Sequence, residues 1–319
     1  MAIINSSVTE AKKVLDNGDL IGLPTETVYG LAGNALDPKA VANIFEVKAR
    51  PSFDPLIVHS SSLERLSPYI KDLPATAKKL AEAFWPGSMT MVLPRSEKIH
   101  DLITSGLDTV AVRVPKHDLT LSLLEQLDYP VAAPSANPFG YISPTSAQHV
   151  QDGLGDKIPF ILDGGACEVG VESTIIGFPE GVPTIYRKGG IAVEDIEAVI
   201  GKVNVNAQSS SQPKAPGMLH RHYAPNSTLL LGNIGGLIEK YKGKDVVTLS
   251  LKDTYNTLPL DKQCILSKSG DLSEAARNLF KTLRAIDKLN PEYILGEWMP
   301  EEGLGRAMND RIKRAASLG

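Results

Sequence analysis

Residues 48–59 read KARPSFDPLIVH, and the rest of the chain is organised around this stretch. Lys48 and Arg50 stand where a helical pattern is about to be broken by a proline. On a regular helix, side chains two positions apart do not share a face. Both cations can therefore meet one ligand only if the chain already turns here, as Pro51 implies. A short apolar strand that ends in His59 follows.

The same two cations have another interpretation. Lys and Arg in the last turn of a helix complement its dipole and need no ligand. Upstream, Asp37 and Pro38 form an N-cap followed by a first-turn proline, and apolar residues recur at helical spacing as far as Lys48. The stretch therefore predicts the end of a helix and the start of a strand, with Lys48 and Arg50 at the junction.

Length and composition restrict the class of protein. A chain of 319 residues suggests two domains, with ample material for a buried core. The hydrophobic fraction of 42% and the charged fraction of 22% are those of an ordinary soluble globular protein. A net charge of -4 argues against a protein that binds nucleic acid over its whole surface, although it allows a local basic cleft.

The sequence predicts a soluble cytoplasmic protein without a membrane span. Residues 1–13 are polar and helix-like, and no later run approaches ~18 apolar residues. Cys167 and Cys264 are far apart in the sequence and predict reduced thiols. Neither the cysteines nor the six histidines have the spacing of metal ligands, so we expect no zinc site.

Polar side chains stand at the ends of predicted strands. A buried strand over residues 20–23 runs into Thr25 and Thr27. In open α/β sheets ligands bind at the carboxyl ends of strands, so both hydroxyls are candidate ligand contacts, with capping of the next turn as the alternative. Arg113 interrupts a later apolar strand. A cation there needs a specific partner, either a ligand or a carboxylate such as Asp108.

A strand of small residues breaks at Pro134 into a loop that carries Ser135 and Asn137. Neutral donors and acceptors of this kind orient a substrate rather than attack it. The alternative is a turn stabilised by local bonds to the backbone. Ser143 begins a Ser-Pro-Thr sequence that predicts the start of a helix, and residues 171–176 predict a strand.

The last third of the chain has a different pattern. After a polar, flexible connector, strands and helices alternate and predict a small doubly wound sheet. This part carries no G-x-G-x-x-G sequence, and residues 303–306 are interpreted as a loop and helix start rather than a phosphate site. No chemistry can be assigned to it from the sequence.

Several motifs occur in a fixed order along the chain: PTETVYGLAGNA, K-x-R-P-x-x-D-P-L-x-x-H, APSAN with its following SPT, VESTI, YRKGGI and HRHYAP. By these motifs the chain resembles the threonylcarbamoyl-AMP synthase family, in the long form that adds a second domain to a YrdC-like domain. The resemblance implies an α/β fold: a twisted, open, mixed sheet with a basic concave cleft over residues 1–202, a linker or lid over 203–225, and a smaller Rossmann-like C-terminal domain over 226–319.

The family's activity is the synthesis of L-threonylcarbamoyladenylate from L-threonine, bicarbonate and ATP, with release of pyrophosphate. The product feeds threonylcarbamoylation of the tRNA adenosine beside the anticodon, so the implied partners are a downstream tRNA threonylcarbamoyl transferase complex and, indirectly, tRNA. The reaction needs no protein nucleophile. Aligned cations and Mg2+ on the phosphates are sufficient, which agrees with a sequence that has neither a Walker loop nor a catalytic triad.

The resemblance also implies roles for single residues. The family's catalytic Lys-Arg and Ser-Asn quartet falls on Lys48, Arg50, Ser135 and Asn137. Threonine contacts fall on Thr27, His59, Arg113 and Ser173. Nucleotide contacts fall on Arg50, Asp54, Thr109, Ala133, Ser135, Ser143, Arg187 and Tyr223.

Two features qualify this carry-over. Many relatives have Asn where this chain has Asp54, and a carboxylate near phosphates needs Mg2+ or a hydroxyl partner. The linker ends in HRHYAP, so the resemblance suggests a lid that brings His222 or Tyr223 near the nucleotide and excludes water. A tether packed on one domain is the alternative.

Two other functions compete with this one. An RNA-binding module would use the same basic cleft to bind a phosphate backbone. The acidic net charge and the absence of interleaved basic and aromatic residues argue against this function. A related enzyme that adenylates a carbamoyl group would share the YrdC-like fold.

Overall fold

The computed structural model describes residues 1–206 and 223–316. It is an α/β structure with one large and one small sheet, as predicted. Among the described residues, no helix has both the length and the apolar character needed to cross a membrane. The predicted domain boundaries stay predictions, and most of the predicted linker, with His222, lies outside the described residues.

The large sheet has eleven strands. They are β1 (Ile3–Asn5), β2 (Ile21–Leu23), β3 (Gly30–Asn34), β4 (Ile57–His59), β5 (Met89–Pro94), β6 (Thr109–Arg113), β7 (Val131–Ala132), β8 (Phe160–Leu162), β9 (Thr174–Gly177), β10 (Thr184–Arg187) and β11 (Asn204–Val205). Their spatial order is β1-β8-β2-β3-β7-β4-β6-β5-β9-β10-β11.

The large sheet is mixed, which confirms the prediction. For example, β4 pairs in parallel with β6, whereas β5 pairs antiparallel with β6. Register places His59 at the end of β4 directly beside Arg113 at the end of β6. The β4–β6 pair therefore presents two of the predicted site residues at one sheet edge.

Eight α-helices belong to this part of the chain, together with short 3-10 helices at Ser67–Tyr69 and Pro179–Gly181. The α-helices are α1 (Val8–Asp16), α2 (Pro38–Lys48), α3 (Leu63–Leu66), α4 (Ala75–Phe84), α5 (Asp101–Thr104), α6 (Asp118–Gln126), α7 (Ala147–Leu154) and α8 (Val193–Ile200). The Asp37 side chain accepts from the Lys39 amide at the start of α2, as the sequence predicts. The helix ends at Lys48 because Ala49 takes a left-handed conformation, with φ of 51°.

The small sheet is entirely parallel, in the order β12-β15-β13-β14. Its elements are β12 (Thr228–Leu231), α9 (Ile234–Lys240), β13 (Val246–Ser250), β14 (Gln263–Ile265), α10 (Leu272–Leu289), β15 (Tyr293–Gly296) and α11 (Gly305–Ala316). The alternation of strand and helix agrees with the prediction, and α11 begins within the predicted loop and helix start.

The two parts of the chain share a core. One apolar cluster contains Val28 and Ile142 from the first part together with Leu279 and Phe280 from α10. Close backbone contact accompanies it, because a Cβ added at Gly170 would lie 2.4 Å from the Arg277 Cα. The small sheet is thus packed directly on loops of the first part.

Two local predictions were wrong. The helix predicted to start at Ser-Pro-Thr begins later, at Ala147, because Ser146 is the residue whose side chain caps it. The strand predicted over residues 171–176 begins only at Thr174. Ser143 and the residues just before Thr174 are therefore loop residues. Their side chains contribute to the site described below.

Candidate functional site

A cleft lies where strands and loops of the large sheet end. Fifteen residues line it, and we call this set the cleft: Thr25, Val28, Gly30, Arg50, Pro55, Ile57, His59, Arg113, Ala133, Pro134, Ser135, Glu172, Ser173, Arg187 and Tyr223. Eight of the predicted site residues are in this set. They are Arg50, His59, Arg113, Ala133, Ser135, Ser173, Arg187 and Tyr223.

The turn after α2 sends its two cations to different places. The Arg50 guanidinium lies in the cleft and forms a buried ion pair with Asp54, with 2.8 Å between Nη2 and Oδ2. The Arg50 Nε also donates to the Asp54 carbonyl at 3.1 Å. Burial lowers the pKa of Arg50, and the Asp54 carboxylate opposes that shift. The left-handed Ala49 makes this divergence possible.

Lys48 has a different environment from the one predicted for a ligand contact. Its Nζ donates to the main-chain carbonyls of Ser135 and Asn137, the latter at 2.6 Å. Burial lowers the pKa of Lys48 well below its usual value, and Arg50 adds to the shift. Lys48 thus ties the loop that carries Ser135 to the end of α2. It is not among the residues that line the cleft.

Arg113 is paired with a carboxylate, but not with Asp108. Its Nη2 lies 2.8 Å from Glu26 Oε1 and donates to Thr27 Oγ1 at 2.9 Å. Its Nε donates to the Gly87 carbonyl at 3.2 Å. Thr27 therefore touches the cleft through Arg113, while Thr25 lines it directly.

Arg187 is held against Ser173. Its Nε donates to the Ser173 carbonyl at 3.0 Å, and its Nη2 to the Ser173 hydroxyl at 3.0 Å. Burial lowers the pKa of Arg187 to about 10, so the side chain stays cationic at neutral pH. Together with Arg50 and Arg113, it brings three buried guanidinium groups from separate segments into one cleft.

His59 lines the cleft beside these arginines but carries no charge at neutral pH. Burial lowers its pKa to about 3, and the nearby Arg113 adds to the shift. Its Nδ1 lies 3.1 Å from the Ile57 carbonyl. At neutral pH the ring is uncharged. Because a carbonyl oxygen can only accept, Nδ1 carries the proton and donates to Ile57, and Nε2 is left as an acceptor for a ligand.

Four other predicted residues lie off the lining. The Asn137 amide donates to the carbonyls of Pro138 and Tyr141, both at 2.9 Å. These bonds stabilise a local turn, which the sequence analysis gave as the alternative to a ligand contact. Ser143 donates to Glu172 at 2.6 Å. Asp54 has the Arg50 guanidinium as its partner, so its buried carboxylate does not depend on a metal.

Thr109 is the fourth of these residues. It opens β6, whereas Arg113 closes the same strand at the cleft. At the rise of a β-strand, roughly 13 Å separates the two positions. A ligand bound at Arg113 would have to extend along the strand to reach Thr109.

Sequence reasoning missed two carboxylates. Glu26 is buried and accepts from Arg113, from the Ser88 hydroxyl at 3.0 Å and from the Lys116 amide at 3.1 Å. Glu172 lines the cleft and bonds to Arg311 of α11 at 3.0 Å. Each acid directly precedes a predicted site residue, Thr27 or Ser173, in PTET and VEST. That adjacency was the available signal.

Metal ligands were sought among the described side chains. Within residues 1–206 and 223–316, no group of three or more His, Cys, Asp or Glu side chains is arranged to hold an ion. The buried carboxylates at the cleft, Glu26 and Glu172, are each bonded to an arginine.

The cleft is narrow in this structure. Its cavity measures about 50 Å³, whereas typical ligand pockets measure ~300–1,000 Å³. Tyr223 closes part of the wall, stacked on Phe280 with 5.4 Å between ring centroids.

Family models match nearly the whole chain. One described as "Telomere recombination" matches residues 13–189, and one described as "Threonylcarbamoyl-AMP synthase, C-terminal domain" matches residues 191–317. The two matches meet between the end of β10 and the start of α8, close to where the large sheet ends in the sequence.

Two curated relatives match this chain over more than nine-tenths of their own length. Threonylcarbamoyl-AMP synthase of Pyrococcus abyssi is 44% identical over 314 residues, covering 94% of this chain and 91% of that protein. The Bacillus subtilis protein of the same name is 38% identical over 320 residues, covering 97% and 92%. The crystal structure of P. abyssi Sua5 complexed with L-threonine superimposes with a TM-score of 0.93 at 42% identity, covering 99% of this chain and 98% of that one.

Proposed function

This chain belongs to the threonylcarbamoyl-AMP synthase family, and we propose that it makes L-threonylcarbamoyl-AMP from L-threonine, bicarbonate and ATP. The proposal makes it a nucleotidyltransferase of the cytoplasm, where all three substrates are available. Its product would pass to a tRNA threonylcarbamoyl transferase complex, so tRNA is an indirect partner.

One observation carries the proposal. Arg50, Arg113 and Arg187 are each at most 8% exposed, and all three line one cleft. Burying three guanidinium groups is costly. Glu26 and Asp54 balance two of them, and the carboxylate of Glu172 in the wall is itself balanced by Arg311. The cleft therefore keeps a net positive character that suits a polyanion such as a triphosphate.

The chemistry requires alignment rather than a protein nucleophile. The threonine amine adds to the carbon of CO2 and loses a proton, or adds to the carbon of bicarbonate and water leaves; either route gives a carbamate. A carbamate oxygen then attacks the α-phosphorus of ATP, and the bond to the bridging oxygen breaks as pyrophosphate leaves. Negative charge develops on phosphate oxygens, where preorganised guanidinium groups lower the barrier.

We assign threonine to the edge formed by β4 and β6. His59 and Arg113 are register neighbours there, and Thr27 and Ser173 are bonded to arginines of the cleft. A neutral His59 can orient the amino acid without adding charge. The relative in P. abyssi was crystallised with L-threonine, which supports this assignment.

We assign the nucleotide to Arg50, Ala133, Ser135, Arg187 and Tyr223, which line the remainder of the cleft. Lys48 and Asn137 would act by fixing the loop of Ser135, and Ser143 by its bond to Glu172. Asp54 would orient Arg50. Thr109 keeps a contact only with an extended nucleotide. Mg2+ would enter as part of the MgATP substrate.

Turnover tests the proposal directly. The purified chain should release pyrophosphate from ATP only when threonine and bicarbonate are both present, and mass spectrometry should detect threonylcarbamoyl-AMP. Omission of either substrate is the control. Pyrophosphate release with carbamoyl phosphate in place of threonine would favour the carbamoyl-adenylating enzyme, and RNA affinity that falls steeply with salt, without turnover, would favour the RNA-binding module.

A further inference from the structure

An arginine from the second part of the chain reaches the wall of the cleft. Arg311 lies on α11, its side chain is fully buried, and its Nε donates to Glu172 Oε2 at 3.0 Å. Its Nη1 donates to the Lys188 carbonyl at 2.5 Å. The guanidinium also lies over the Tyr223 ring, 5.6 Å from its centroid. Arg311 thus contacts the first part of the chain at two points, Glu172 and Lys188.

Glu172 connects this arginine to the cleft. It lines the cleft, and its other carboxylate oxygen accepts from the Ser143 hydroxyl at 2.6 Å. The next residue, Ser173, is the one that holds Arg187. The backbone of Glu172 is also fixed, because the Gly190 amide donates to its carbonyl at 2.9 Å and a Cβ at Gly189 would lie 2.3 Å from that oxygen.

A carboxylate in such a wall faces an electrostatic conflict. The proposed substrate is a triphosphate, and like charges repel strongly in a buried site. Arg311 resolves the conflict because its positive charge is bonded to Glu172 from the side of α11. The bond also fixes which oxygen of Glu172 is available to Ser143.

We propose that Arg311 is a positioning residue for nucleotide binding: it neutralises and orients Glu172, so that the second part of the chain completes the cleft of the first. This inference rests on the proposed function. It gives α11 a specific task in substrate affinity, beyond packing.

The test uses Arg311→Met in the full-length chain, with Arg306→Met as matched control. Arg306 lies on the same helix and also bonds a glutamate of the first part, Glu194, at 2.8 Å, but this pair is partly exposed and lies outside the cleft. Arg311→Met should raise the KM for ATP about tenfold to a hundredfold with a smaller change in kcat. Arg306→Met should match the wild type in both constants.

One readout separates positioning from a merely structural role. Adding Glu172→Gln to Arg311→Met removes the carboxylate charge that Arg311 no longer pairs and should restore most of the affinity. Failure of this rescue, or equal behaviour of the two arginine variants, would overturn the proposal.

Calorimetric titration with ATP distinguishes this inference from the proposed function. If the wild type binds ATP but forms no threonylcarbamoyl-AMP, the proposed function fails, and the binding constants of the three variants still decide the role of Arg311. If the wild type does not bind ATP, both proposals fall. Arg311→Met that binds ATP as tightly as the wild type overturns the inference alone.

Discussion

The strand ends of the two sheets are built differently. In the large sheet they carry buried arginines, such as Arg113 and Arg187, that line a cleft. In the small sheet they carry polar groups bonded within a few residues or to the neighbouring strand end. The Ser250 hydroxyl donates to the Asp253 carbonyl at 2.7 Å, and Glu297 accepts from the Leu251 amide at 2.7 Å.

The buried arginines of the second part come from its helices instead. Arg284 on α10 donates to the carbonyls of Ile142 and Ser143, and Arg311 on α11 bonds to Glu172. Parallel sheets commonly bind ligands at the carboxyl ends of their strands. Within the described residues, the small sheet has no buried cation at such a position. Its polar chemistry is directed at the loops of the cleft.

The largest effect that would test this contrast is expected at Arg50. Arg50→Ala should lower threonine-dependent pyrophosphate release by a factor of ~10²–10³, equivalent to ~3–4 kcal/mol of barrier, because one preorganised cation is lost. Single-turnover assays with saturating ATP measure the change. Full activity would mean that the cleft cations do not serve the reaction.

Removing Arg50 also leaves Asp54 buried without the cation bonded to it, and that alone can unfold a protein. The double variant Arg50→Ala/Asp54→Asn removes both charges and is the form in which to measure the rate. Asp54→Asn by itself should stay folded and keep most of the activity. Circular dichroism of all three variants reports whether the fold survives.

A smaller effect is expected from pH, through His59. Its folded pKa of about 3 lies below the ~6.5 of an unfolded histidine. The unfolded state therefore takes up a proton first, so the stability is fully present above pH ~6.5 and is lost as pH falls towards 3. This residue should cost about 2 kcal/mol of unfolding free energy between pH 7 and pH 5.

Urea denaturation of the wild type and His59→Gln at both pH values measures the contribution of His59. His100→Gln is the control, because His100 is an exposed residue whose side chain caps α5. The pH dependence should be weaker in His59→Gln than in the other two proteins. Equal slopes in all three would show that the cleft histidine does not resist protonation.

The features that could be predicted from the sequence are those encoded by local patterns of residues. Asp37 and Pro38 marked the start of α2, alternating apolar runs marked most strands, and the motif order identified most of the cleft residues. Each of these signals lies within a few residues of the feature it predicts. Local propensities and the resemblance were sufficient for them.

Contacts between distant segments could not be predicted in the same way. Lys48 bonds to a carbonyl 87 residues away, and the partner of Arg113 is Glu26 rather than the nearby Asp108. The bond of Arg311 to Glu172 joins residues 139 apart. A sequence gives the charge that needs a partner, but the fold decides which of several carboxylates or carbonyls comes within reach.

The smallest effect is expected at the strand ends of the small sheet. Glu297→Ala removes the acceptor of the Leu251 amide and should cost about 0.5–1.5 kcal/mol of stability, the usual contribution of one hydrogen bond. Pyrophosphate release should stay within about twofold of the wild type, since stability is lost without any change in the cleft. A fall in turnover comparable to that of Arg50→Ala, in a variant that is still folded at the assay temperature, would place a second functional site on the small sheet. The contrast between the two sheets would then be wrong, because both would present reactive chemistry at their strand ends.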